Sequence, residues 1–121
     1  MKWEINYNEN YNILTVKAEG TIEVETEEKL RNEVVKSMRK NNCKRLLLDL
    51  RNIEIKLSTF EIYDIPRKYM EQSISRDIKM AVLFSESESR DFNFYETVSR
   101  NAGYDVMLFP EFDTAMKWLE G

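Results

Sequence analysis

Three short runs of almost unbroken apolar residues constrain this chain most: Leu46-Leu47-Leu48-Asp49-Leu50, Met80-Ala81-Val82-Leu83-Phe84 and Val106-Met107-Leu108-Phe109. A strand with one wet face alternates apolar and polar residues, so runs without alternation read as strands buried on both faces. The segments between them have helical periodicity instead. One spans roughly 58–73 and contains Pro66, which removes a backbone donor and crowds the preceding turn, so this helix is expected to kink or split. The other spans roughly 89–102, with Phe92, Tyr95, Val98 and Ala102 on one face and Gly103 as its stop. Strands alternating with helices imply parallel neighbours joined by right-handed crossovers.

The N-terminal third differs. Trp3, Ile5 and Tyr7 alternate with polar residues, as do Leu14, Val16 and Ala18 with Ile13, Thr15 and Lys17, on either side of Asn8-Glu9-Asn10. This predicts a β-hairpin at the sheet edge. After Gly20, Thr26 is placed to cap a helix with Glu27 and Glu28 in its first turn and Leu30, Val34, Val35 and Met38 as its apolar stripe, ending near Asn41-Asn42. A last helix carries Ala115, Met116 and Leu119, with Trp118 as an anchor that docks it. The expectation is an α/β fold in the order ββαβαβαβα, a mixed β-sheet with an N-terminal antiparallel hairpin followed by parallel strands, in one domain over residues 1–121.

Composition narrows the function classes. With 121 residues, 42% apolar and 33% charged, the chain can bury one good core. A net charge of −4 gives no basic field for a phosphate backbone, which argues against nucleic acid. No apolar run approaches the ~20 residues of a bilayer span, and Met1-Lys2-Trp3-Glu4 lacks the apolar stretch of a signal peptide, so a cytoplasmic location is expected. Cys43 is the only cysteine and there is no histidine, which leaves no disulfide, no Cys/His metal site and no histidine base. No cofactor, no metal and no enzymatic activity are expected.

Ligands of open α/β sheets sit beyond the carboxyl ends of the strands. Three loops qualify: Asp49 to Leu57, Ser85 to Ser89, and Pro110 to Asp113. The first leads into Ser58-Thr59 at a helix start, where free N–H groups and the dipole favour a phosphate. Ser58 with Glu61 also reads as a capping box, and Leu57 with Ile62 as the hydrophobic staple beside it. A capping box does not use the Thr59 hydroxyl, which makes Thr59 the first candidate phosphoacceptor. Ser85 and Ser87, with Glu86, Glu88 and Arg90, form a second polar loop that suits a small ligand or partner, or supplies competing helix caps. Asp49 interrupts an apolar strand and is placed to pair with Arg51 or to cap a neighbouring turn; a buried carboxylate can serve as a general acid or base, but no second carboxylate pairs with it in a recognisable catalytic spacing. Trp3, Ile5 and Tyr7 offer an edge for a homodimer, and the charges interleaved there oppose it.

Three stretches resemble the SpoIIAA-like branch of the STAS superfamily, the anti-sigma-factor-antagonist fold. They are Leu47-Leu48-Asp49-Leu50-Arg51-Asn52, the helix Phe94 to Gly103, and Phe109 to Leu119 with its Trp118-Leu119 ending. The resemblance implies a non-catalytic regulatory or protein-interaction module with a protein partner. In the anti-sigma antagonists a Ser or Thr of an Asp-Ser-Ser/Thr-Gly-like segment is phosphorylated to switch partners. Leu57-Ser58-Thr59-Phe60 falls at that place, with Leu57 for the acidic residue and Phe60 for the glycine. Related proteins also resemble the CRAL-TRIO lipid-binding fold, which implies the alternative: a small apolar or lipid-like ligand held between the 58–73 helix and the sheet.

Overall fold

The computed structural model describes all residues, 1–121. Elements follow in the order β1 (Lys2–Asn8), β2 (Ile13–Ile22), α1 (Val24–Lys40), β3 (Arg45–Ile55), α2 (Thr59–Glu71), β4 (Lys79–Leu83), a short 3-10 turn (Glu86–Glu88), α3 (Ser89–Asn101), β5 (Asp105–Phe109) and α4 (Phe112–Glu120). The five strands lie in the sheet in sequence order, β1 antiparallel to β2 and every later pair parallel. The expected element order and mixed sheet are therefore present. Each crossover steps one strand in the same direction, so a constant hand puts α1, α2 and α3 on one face of the sheet.

Side-chain parity then divides the core in two. Leu14, Val16, Leu46, Met80, Val82 and Val106 point to the three-helix layer, where they meet Leu30, Val34, Val35 and Met38 of α1, Ile65 and Tyr69 of α2 and Phe92 of α3. Trp3, Ile5 and Tyr7 of β1 also pack on this layer. The opposite face carries a smaller core of Ile13, Leu47, Ala81 and Leu83 closed by Ala115 and Leu119 of α4. Trp118 docks that helix as expected: it stacks on Phe109 at 5.6 Å, and Lys79 Nζ sits 4.4 Å over its ring while donating to its carbonyl at 2.9 Å. Arg45 donates to the Leu119 carbonyl at 3.3 Å, so two cations meet the carbonyl end of α4, where the helix dipole favours them.

Three boundaries differ from the sequence reading. Helix α1 begins at Val24, and Thr26 is inside it: Thr26 Oγ1 accepts from the Glu23 backbone N–H at 2.7 Å and donates to the Glu23 carbonyl at 3.0 Å. Its hydroxyl reaches back over the first turn instead of standing before it. Helix α2 runs through Pro66 unbroken, and that proline is buried. The segment from Asp49 onward is strand, not loop, because β2 continues to pair with β3 as far as Ile22 opposite Ile55. A bulge makes this continuation workable. Lys17 lies opposite Asp49 and Glu19 opposite Asn52, so two residues of β3 face one of β2. The extra residue flips the parity, and Ile53 and Ile55 point to the same helix layer as Leu46 and Leu50.

Candidate functional site

The carboxyl ends of β2, β3, β4 and β5 feed the N-termini of α1, α2, α3 and α4 along one edge of the sheet. Ser58 is the N-cap of α2, with φ −70° and ψ 163°. Its Oγ accepts from the Glu61 backbone N–H at 3.1 Å, and Glu61 Oε1 accepts from the Ser58 N–H at 2.8 Å, the reciprocal capping box. The Ser58 hydroxyl is thereby committed. Thr59, the first helical residue, is exposed, and its hydroxyl makes no hydrogen bond within the chain. Beside it stand Phe60, 72% exposed, and Tyr63, 62% exposed. They are three apart and share a face of the helix, as do Tyr63 and Arg67, which holds Asp64 and Glu71 at 2.6 and 3.0 Å.

The other sequence candidates fall into two separate arrangements. Asp49 and Arg51 form a two-point ion pair, Nε to Oδ1 and Nη2 to Oδ2 at 2.9 Å each, on the face that α4 covers. The Arg51 hydrogen bond is the main influence holding the Asp49 carboxyl below the usual carboxylate range, against the cost of burial. This carboxylate is ionised and internally satisfied, a structural pair. Ser85 and Ser87 lie within 3.1 Å of each other through their hydroxyls, and Arg90 is exposed at the start of α3. Glu88 ties this segment to β3 by accepting from the Ile55 N–H at 3.2 Å, which brings the Ser85 turn to the same sheet edge as Ser58.

Sequence reasoning missed the polar groups inside the three-helix layer. Helix α2 packs on α3 and is joined to α1 mainly by side chains. Gln72, the C-cap of α2, receives Arg31 Nη1 at 2.6 Å, donates to Asn32 at 2.8 Å, and offers its carbonyl to Arg39. Between the inner faces of α1 and α2 and the sheet lies a cavity of about 110 Å³, lined by 21 residues of which 18 are apolar. Leu48 shows the gap best. It faces this layer from the central strand between Leu46 and Leu50, which are 2% and 8% exposed, and is itself only half-buried. The cavity lies between α2 and the sheet. Glu27 and Arg31, an ion pair at 3.0 Å with side chains 11% and 9% exposed, form part of its wall. The Tyr69 and Tyr95 hydroxyls, 2.6 Å apart, form another part. Burial pushes the Tyr95 phenol up to about 12 and the Tyr69 phenol well above 10. The i, i+4 spacing of Glu27 and Arg31 was the one visible signal; the tyrosines come from different helices.

With this geometry in view, the architecture has close counterparts. An anti-sigma factor antagonist from Mycobacterium paratuberculosis superposes with a TM-score of 0.69 at 14% identity, over 99% of this chain and 96% of that one. The chain has a SpoIIAA-like fold. An uncharacterised DUF3478-family protein from Shewanella loihica, itself described as SpoIIAA-like, matches this fold at TM-score 0.63 and 15% identity, over 98% and 92% of the two chains. No protein-family model and no curated protein matches the chain. In this SpoIIAA-like frame no helix is long and apolar enough to cross a membrane, and no group of three or more Asp, Glu, Cys or His side chains is placed to hold a metal ion.

Proposed function

We propose that this chain is a non-catalytic regulatory module that presents the start of α2 to a protein partner, with Thr59 as the switch. The observation that carries this reading is the free Thr59 hydroxyl at a helix N-terminus beside two strongly exposed aromatic side chains, Phe60 and Tyr63. Exposed aromatics adjoining polar groups are the usual anchors of protein interfaces. A phosphate on Thr59 would lie near the positive end of the helix dipole, so the helix would tolerate it while the docking surface gained nearly two negative charges. Ser58 is the weaker acceptor, because modifying it breaks a cap worth about 1 kcal/mol. The antagonist with the same fold supports the reading by analogy of architecture.

The test is affinity co-purification of the tagged protein from its native host, with bound proteins and phosphosites read by mass spectrometry. A stoichiometric partner is expected, bound at least tenfold more weakly by Thr59→Glu and about thirtyfold more weakly by Phe60→Ala, a loss typical of an interface anchor. A partner that binds Thr59→Glu as well as wild type would remove the switch. One indifferent to Phe60→Ala would remove this surface.

A second reading is favoured by the cavity of about 110 Å³ between α2 and the sheet: the chain holds a small apolar ligand there. Enclosed apolar cavities of comparable size accept apolar guests, benzene entering one of about 150 Å³.

A further inference from the structure

Resting on that second reading, the structure assigns the cavity a more specific guest: an uncharged small molecule with an apolar body and one hydrogen-bond-accepting oxygen, turned toward Tyr95. Charge excludes the obvious amphiphiles. Three charged residues reach the lining, Glu27, Arg31 and Asp91. Arg31 is the sole cation among them, and its donors are spent, Nε and Nη2 on Glu27 at 3.0 and 3.3 Å and Nη1 on Gln72 at 2.6 Å. Asp91 has no salt-bridge partner, so the wall carries one net negative charge. A carboxylate or phosphate guest would lose its water and meet no free cation, a large cost in an apolar site.

The wall nevertheless has one under-used donor. Tyr95 and Tyr69 share a hydrogen bond in which either hydroxyl can donate, and when Tyr69 donates, the Tyr95 proton is left to Met80 Sδ at 3.2 Å. A thioether is a weak acceptor, and a carbonyl, ether or hydroxyl oxygen is a better one. Tyr69, Met80 and Tyr95 all line the cavity, so a guest there lies beside the hydroxyl and the thioether it would replace as acceptor. The raised phenols keep both hydroxyls protonated through the neutral range, and the donor persists there.

Three probes of similar size test this on the full chain: cyclopentane, pentan-2-one and pentanoate, titrated at pH 7 and followed by the methyl resonances of Met38 and Met80, both at the lining. Pentan-2-one is expected to shift both signals and to bind at least tenfold more tightly than pentanoate. The conservative variant Tyr95→Phe should weaken pentan-2-one about fivefold, the loss of one neutral hydrogen bond, and leave cyclopentane unchanged. Pentanoate binding as well as the ketone would overturn the charge argument. Tyr95→Phe binding the ketone undiminished, or wild type binding cyclopentane alone, would overturn the oxygen-bearing guest while leaving an apolar site. No shift with any of the three would remove the ligand reading itself.

Discussion

On one face of the sheet a single nine-residue helix closes a core whose six members, Ile13, Leu47, Ala81, Leu83, Ala115 and Leu119, are each at most 1% exposed. On the other, three helices cover the same strands with a core of 20 side chains and still leave a cavity and a half-buried Leu48. The contrast follows from how the helices are held. Helix α4 is pinned by apolar side chains and by two cations on its last carbonyls. Helix α2 rests on α3 and meets α1 through long polar side chains around Gln72. Apolar close packing fixes distance to a fraction of an ångström, whereas a hydrogen-bonded bridge of long side chains spans a gap without filling it. A module of this design can be rigid on one face and adaptable on the other, and the proposed partner surface lies on the adaptable side.

Neighbouring leucines of β3 give the largest test of that contrast. Leu47→Ala should cost about 3–4 kcal/mol of stability, since its site is closed on every side, and Leu48→Ala about 1–2 kcal/mol, because a cavity already adjoins it. Urea unfolding of the two variants measures the difference; equal losses would mean that the two faces are packed alike.

Alkaline titration reaches the three-helix layer through its tyrosines. Unfolded tyrosine releases its proton near 10, whereas Tyr95 holds its own to about 12 in the fold. Above pH 10 the unfolded state therefore binds fewer protons, and stability falls by about 2–3 kcal/mol between pH 10 and 12. Tyr95→Phe should remove that share of the fall and leave the part due to Tyr69, whose phenol is also raised. A profile that is the same in both would place the loss elsewhere.

The smallest effect belongs to the α4 face. Asp49 has its pKa lowered in the fold from 3.8, so the Arg51 pair contributes stability above that value and loses it as pH falls through the lower, folded value. With Arg51 half-exposed, Arg51→Met should cost about 1 kcal/mol at pH 7, and the two proteins should converge in stability only as pH falls below the lowered, folded value. Thermal melts across that range would show a constant gap if the pair were not the cause.

The local signals proved readable where a short stretch of chain settles the structure. Ser58 with Glu61 announced the start of α2, and Gly103, at φ +91°, the end of α3. The apolar runs at 46–50 and 80–84 announced inner strands, since burial on both faces removes the reason for alternation, whereas the run at 106–109, expected to be buried on both faces, forms the edge strand β5, in which only Val106 is buried. Of the two roles open to Asp49, pairing with Arg51 or capping a turn, the fold has the pair, and the residues beyond it were read as loop because a bulge is created by the register of two strands and has no signature in either alone.

The sequence by itself determined the order and kind of the elements, the cap at Ser58 and the absence of histidine chemistry, all set by residues close together in the chain. Only the tertiary structure decided that Phe60 and Tyr63 stand exposed beside a free hydroxyl, that Tyr69 and Tyr95 meet, and that α1 and α2 are held apart over Leu48. Those features depend on how far apart packed helices come to rest, a distance fixed by side chains from several elements at once and written in no single stretch of the chain.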